Sequence, residues 1–155
     1  MQLYRGDWLW WARFAEPTLH SATHRPPMPL THFPPPPNIK TPPLSYATRV
    51  GDLLFVSGIP GFDDAGKLSD DFATQFGFIA ATIKRILREA GSDVAHLVKV
   101  NVLLTRASDV ATMNALYAEA FGPPPYPART TCVIAQLPDP KMLIEIECVA
   151  SVASA

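Results

Sequence analysis

The run PARTTCVIAQLPDPKMLIEIE, residues 127–147, contains two strand patterns separated by a proline-bounded turn. Arg129–Ala135 opens on a cation and continues through Thr131, Cys132, Val133 and Ile134, the residue types of a mostly buried strand. Leu143–Ala150 alternates, with Ile144, Ile146 and Cys148 on one face and Glu145 and Glu147 on the other. Upstream, Val110, Met113, Leu116, Tyr117 and Phe121 have helical spacing, with Ser108 as N-cap. Gly122 and Pro123–Pro125 bar continuation of that helix. Val98, Val100, Val102 and Leu104 alternate as a strand. Phe72, Phe76, Ile79, Ile83, Ile86, Leu87 and Ala90 predict a longer helix, capped by Ser69 or Asp70 and ended by Gly91. Leu53–Val56 reads as a short buried strand before Ser57-Gly58, paired with Ser45–Val50 through a Gly51-Asp52 turn. The order is ββαβαββ with a hairpin at each end, an α+β mixed sheet with two helices packed on one face. The other sheet face is left open, which invites self-association.

The chain has 155 residues, 48% of them apolar and 17% charged, enough for one domain with a real core. Thirteen basic residues against 14 acidic ones leave a net charge of −1, which argues against nucleic acid as the main partner. Two cysteines, Cys132 and Cys148, cannot staple a secreted scaffold and fit a reducing cytoplasm. No apolar run reaches the roughly 18 residues of a membrane span. Ten of the 17 prolines and all three tryptophans (Trp8, Trp10, Trp11) fall in residues 1–43. Residues 1–37 are therefore expected to be a Pro/Trp-rich N-terminal extension, extended or disordered, before a domain over 38–155. Met28 is the expected natural start, with residues 1–27 an appended leader; an aromatic docking segment and an SH3-type ligand are the functional alternatives.

The common catalytic signatures are missing: no G-x-G-x-x-G, Walker A, H-E-x-x-H, G-x-S-x-G or C-x-x-C occurs. Three of the four histidines, His20, His24 and His32, lie in the proline-rich arm; His20 and His24 read as solvated. A histidine-based metal site or triad is not expected. Arg129 must find an anion or lie at a sheet edge; its planar fork suits a carboxylate, and a structural salt bridge is the bland reading. Glu145 and Glu147 share a face roughly 7 Å apart. Either can accept a proton from water, and a solvated outer face is the simpler account. Cys132 and Cys148, on strands expected to be neighbours and without a histidine beside them, read as buried and inert.

These residues resemble one family. Gly51–Gly58 (GDLLFVSG), Val98-Lys99-Val100, Met113–Tyr117 (MNALY) and above all the 127–147 run are similar to the RidA/YjgF family of enamine/imine deaminases, long described as translation-inhibitor or endoribonuclease-like proteins. The resemblance covers about residues 40–150. It implies a fold like AroH-type chorismate mutase and a homotrimer joined through its sheets, with active sites in the clefts between subunits. It implies no cofactor and no metal, and a role in metabolite damage control; the cytoplasmic location and the lack of a nucleic-acid or membrane partner rest on the composition above. The implied reaction hydrolyses 2-aminoacrylate-like imines, made by PLP enzymes, to 2-oxo acids and ammonia. Arg129 matches the family arginine that grips the substrate carboxylate, and Glu145 the glutamate that positions water. Ser45, Gly58 and Asn114 match positions lining or supporting the cleft.

Three departures bear on the substrate. The family's Pro-Tyr-Ser-Gln is here Pro43-Leu44-Ser45-Tyr46, and alternation returns Tyr46 to the face that Leu44 occupies. The cysteine two residues after the arginine is Thr131, still a hydrogen-bonding side chain, with Cys132 moved to the opposite face. Ser-Gly-Gln becomes Ser57-Gly58-Ile59, which predicts a more apolar cleft. Together they shift the expected substrate toward a larger or more hydrophobic imino acid or a ring-derived enamine. Two readings compete with deamination. One is a non-catalytic trimeric module binding small carboxylates or a protein partner; the other is a ribonuclease, which the near-zero charge and the lack of a histidine pair oppose.

Overall fold

The computed structural model describes residues 27–37 and 39–152. Six strands form one sheet: β1 (Leu30–Phe33), β2 (Ala47–Val50), β3 (Leu53–Pro60), β4 (Leu97–Leu104), β5 (Ala128–Val133) and β6 (Ile144–Ser151). Their spatial order is β1-β2-β3-β6-β4-β5. Two helices, α1 (Phe72–Glu89) and α2 (Val110–Phe121), cover one face. The mixed sheet with two helices agrees with the sequence reading.

The chain enters β3 through a tight turn in which Gly51 takes φ +56°, a conformation that favours glycine. Helix α1 buries Phe72, Phe76, Ile79, Ile83, Ile86 and Leu87, the predicted stripe. Its N-cap is Asp71, not Ser69 or Asp70: the Asp71 carboxylate accepts from the Thr74 backbone N–H and hydroxyl, both at 2.7 Å. Ser69 caps the preceding turn instead, accepting from the Asp71 N–H. At the other end Gly91, at φ +78°, donates to the Arg88 carbonyl and Ser92 to that of Leu87. This pair of bonds is a Schellman ending, and it requires the left-handed residue that glycine supplies. Ser108 does not cap α2 either. It lies inside a 3₁₀ turn, Ala107–Asp109, that runs into the helix with no side-chain cap.

The predicted C-terminal hairpin does not form. β5 pairs with β4 in parallel, and β6 is inserted between β3 and β4, antiparallel to both. The cause is α2: a helix between two strands carries the chain back to its starting edge, so β4 and β5 run the same way. Cys132 and Cys148 are accordingly not on neighbouring strands. Cys148 is buried in the core, as expected of both cysteines, but Cys132 is exposed on the edge strand. The whole of β5 is exposed, because the helices do not extend over the edge. Leu53–Val56 is likewise not buried throughout: Leu54 and Val56 face the helices, while Leu53 and Phe55 project from the open face. A register shift between Leu97 and Lys99 turns Val98 outward, breaking its alternation with Val100.

An extra strand, β1, lies within the segment expected to be extended. It pairs with β2 at the sheet margin, from Leu30↔Val50 to Phe33↔Ala47. An edge is where a proline-flanked strand can pair, since one side needs no donors. Trp8, Trp10, Trp11, His20 and His24 lie outside the described residues, and so does the proposed leader apart from Pro27.

The core lies between the helices and the inner sheet face. Ile144, Ile146 and Ala150 of β6, Val100, Val102 and Leu104 of β4, and Leu54 of β3 are at most 2% exposed there. Phe76 of α1 meets Phe121 of α2 edge-on at 6.3 Å, which joins the two helices.

Candidate active site

Arg129 pairs with Val100 and Thr131 with Val102, so both point to the helix side of the sheet. Because β5 is the uncovered edge, both remain exposed. Arg129 is nevertheless held. Its Nη2 donates to Asn114 Oδ1 at 2.6 Å, Nη1 lies 3.8 Å from Met113 Sδ, and Cζ sits 4.6 Å from the centre of the Tyr117 ring. These contacts use two N–H groups of the five an arginine carries, so donors remain for an anion. No carboxylate of the described residues lies within ion-pair reach of it, so the structural salt bridge does not form among them.

Glu145 is on the other face. Its neighbours Ile144 and Ile146 fill the core, and Glu145 pairs with Pro60 and Leu103 on the open side. Gly58, at a register shift between Val56 and Ile59, packs directly on the carboxylate: a Cβ there would stand 2.5 Å from Glu145 Oε1 and 2.7 Å from its Cδ. Burial raises the Glu145 pKa above the ordinary carboxylate value, and the Glu147 charge adds to the effect. Glu147 is exposed and accepts from Asn101 Nδ2 at 2.7 Å. Beside it, Phe55, Ser57, Lys99, Asn101, Glu147 and Val149 line a shallow concavity of about 280 Å³. Ser45 joins this side through its carbonyl, which accepts from the Ser57 hydroxyl at 2.7 Å.

The predicted site residues thus fall into two groups. Arg129, Asn114 and Thr131 lie on the helix side, and Glu145 and Gly58 on the open side with Ser45 tied to them. In one chain the sheet separates the groups. Tyr46 joins neither: its ring packs against the core with the Arg85 guanidinium of α1 6.0 Å from its centre. Its phenol pKa is raised by burial, with Arg85 pulling the other way. Ile59 does not make a cleft more apolar; it is 3% exposed and pairs with Ile146 in the core. The register shift before it turns its side chain inward.

The reading from spacing alone missed Tyr117 as a partner of Arg129. Its helical phase with Phe121 marked it as core, which it also is. Asn114 and Tyr117 are three residues apart on α2, and that spacing was the available signal.

A two-layer α+β protein with an arginine at an open sheet edge and a half-buried glutamate on the uncovered face is the class that the fold and site define. The model of the family described as Endoribonuclease L-PSP matches residues 38–152, and the chain belongs to this family, the RidA/YjgF proteins. It is 37% identical over 111 residues to the mitochondrial protein mmf2 of Schizosaccharomyces pombe, covering 70% of this chain and 87% of that one. It is 36% identical over 111 residues to the chloroplastic Reactive Intermediate Deaminase A of Arabidopsis thaliana, covering 70% of this chain and 58% of that one. The crystal structure of RidA from the Antarctic bacterium Psychrobacter sp. PAMC 21119 superposes with a TM-score of 0.69 at 32% identity, covering 83% of this chain and 100% of that one. No helix of the described residues is long and apolar enough to cross a membrane. The names of two relatives place them in organelles, so a cytoplasmic location stays a reading of this chain's composition.

Proposed function

We propose that this protein hydrolyses 2-aminoacrylate-like enamines and imines to 2-oxo acids and ammonia, in clefts formed where subunits of a homotrimer meet. The observation that carries this reading is Arg129: a guanidinium held by its own chain on an exposed edge, with N–H donors left over. Such a fork holds a carboxylate in one orientation. Membership of a family whose relatives include a named reactive intermediate deaminase supports the reaction class.

Arg129 and Glu145 face opposite ways in one chain, so a substrate touching both needs a second chain. Arg129 then binds the carboxylate, and Glu145 of the partner subunit positions water. An enamine first takes a proton on its methylene carbon to become the iminium. The water oxygen bonds to the iminium carbon, the C=N pair moves to nitrogen, and the water proton passes to the glutamate. The glutamate then gives that proton to nitrogen, and collapse of the carbinolamine forms C=O and breaks C–N: ammonia leaves, and the hydroxyl proton passes to solvent, replacing the one taken up by the methylene carbon. A carboxyl with a raised pKa is suited to both transfers near neutral pH. Thr131, two residues along β5 on the same face, would bond the same carboxylate through its hydroxyl.

One observation favours the binding-only alternative: Tyr46, which alternation puts on the face of the missing family tyrosine, is turned to α1. Release of ammonia and 2-oxo acid from 2-aminoacrylate and 2-aminocrotonate generated in situ tests the choice. Acceleration that Arg129→Ala abolishes, with the assembly intact, is the expected result. No acceleration over buffer by the unaltered protein, with pyruvate still bound, would make it a carboxylate-binding module.

A further inference from the structure

Helix α2 offers Arg129 three side chains from a little over one turn: Met113, Asn114 and Tyr117. Asn114 fixes one edge of the guanidinium with a 2.6 Å hydrogen bond, which limits its rotation. The Tyr117 ring lies under it, 4.6 Å from Cζ to the ring centre. That ring is 3% exposed and is wedged against Phe121 at 4.8 Å, with Tyr126 at 6.3 Å on its outer side. A side chain so confined has one position to offer.

The Tyr117 hydroxyl is buried and has no hydrogen-bond partner among the described residues. Buried tyrosines normally find one, and phenylalanine would fill the same space without leaving an orphan. The hydroxyl therefore adds no hydrogen bond to the core. What the ring does supply is an electron-rich face, and arginine stacks on such faces. An exposed arginine on an edge strand would otherwise sample many rotamers, and each bound substrate would have to collect it.

We propose that Tyr117 is the positioning residue of Arg129: its ring is the seat on which the guanidinium rests, leaving the free edge of the fork set for the substrate carboxylate. This rests on the reading of Arg129 as the carboxylate grip. The ring is the working part and the hydroxyl is dispensable.

The test uses the full chain, with pyruvate as the carboxylate probe and 2-aminoacrylate as substrate. Tyr117→Phe keeps the ring and is expected to bind pyruvate within about twofold of the unaltered protein, at no loss of thermal stability. Tyr117→Leu is expected to weaken pyruvate by about 2- to 30-fold, the span of a cation–π contact, and to raise KM more than it lowers kcat. Arg129→Ala separates the two layers. If it binds pyruvate normally, the carboxylate grip fails and the seat with it. If it loses pyruvate while Tyr117→Leu binds like the unaltered protein, the grip stands and the seat is overturned. A lower kcat at unchanged KM in Tyr117→Leu would also overturn it, as a general structural effect. Should Tyr117→Leu fail to fold, the Arg129 guanidinium proton resonances decide. Ring current is expected to move them upfield in the unaltered protein and in Tyr117→Phe, and unshifted resonances would overturn the seat.

Discussion

Gly58 and Glu145 sit so close that a single methyl group separates a competent carboxylate from a displaced one. Gly58→Ala would put its Cβ 2.5 Å from Glu145 Oε1, so the glutamate must swing away. Glu145 is half-buried on the open face, and the core is formed by other residues, so the fold is expected to survive. The expected outcome is a fall in kcat of about a hundredfold or more, the low end for a displaced proton-transfer group, with thermal stability little changed. Equal losses in both measurements would count against this account. Glu147 is the second lever on the same carboxylate. Its charge raises the Glu145 pKa, and burial contributes more. In the proposed reaction the working form of Glu145 is the carboxylate, so activity should fall as pH drops through a value above the ordinary carboxylate pKa. Glu147→Gln removes one raising influence and should move that acid limb to lower pH without abolishing it. A limb that stayed in place would show that Glu145 is not the titrating group. Cys148 lies in the same strand, where burial first and the Glu147 charge second push its thiol up to about 12. It is protonated at neutral pH and is a poor nucleophile.

At the scale of elements, the site depends on how α1 is tied to the segment that delivers Glu145. Gln75, fully buried on α1, makes this tie. Its Nε2 donates to the carbonyls of Ser69 and Lys141 at 2.6 and 2.8 Å, and its Oε1 accepts from the Leu143 N–H at 2.9 Å. Leu143 immediately precedes β6, so these bonds set where that strand begins. Gly61 lets the chain pass against Gln75, since a Cβ there would stand 2.5 Å from the Gln75 Cβ. Gln75→Ala would leave three part-buried backbone groups without this partner. At roughly 1–3 kcal/mol for each unsatisfied group, a loss of about 3 kcal/mol or more is expected by denaturant titration. A loss below about 1 kcal/mol would mean that water takes over these bonds.

For the whole molecule, Arg129 and Glu145 lie on opposite sides of the sheet, so in the proposed reaction a substrate that touches both must bridge two chains. The open face carries Leu53 and Phe55, 41% and 45% exposed, beside the polar row of Lys99, Asn101 and Glu147. Apolar side chains projecting from a sheet face in this way fit burial by further copies of the chain. Sedimentation is expected to give three times the chain mass. Phe55→Glu, on that face and away from the core, is expected to shift the protein toward monomer and to remove activity with it. A monomer that kept full activity would exclude the shared-cleft reading.

The helical stripes, the alternation in β6 and the Gly51 and Gly91 endings were legible in residue order, because each depends on neighbours within a few positions. So was the placing of Glu145 and Glu147 on one face with Ile144 and Ile146 on the other, which follows from strand period. Residue order could not say which strands become neighbours. Pairing joins segments far apart in the chain, so the terminal strands read as a hairpin until α2 carried β5 to the edge and β6 took the centre. Nor could it place Ile59, whose face was set by one extra residue in β3. The seat of Arg129 on Tyr117 and the packing of Gly58 on Glu145 come from the same source. Local sequence determined each element and its faces. Only tertiary packing decided that the two charged groups of the site lie on opposite sides of one sheet, since strand order and register are set by the mutual burial of distant apolar residues.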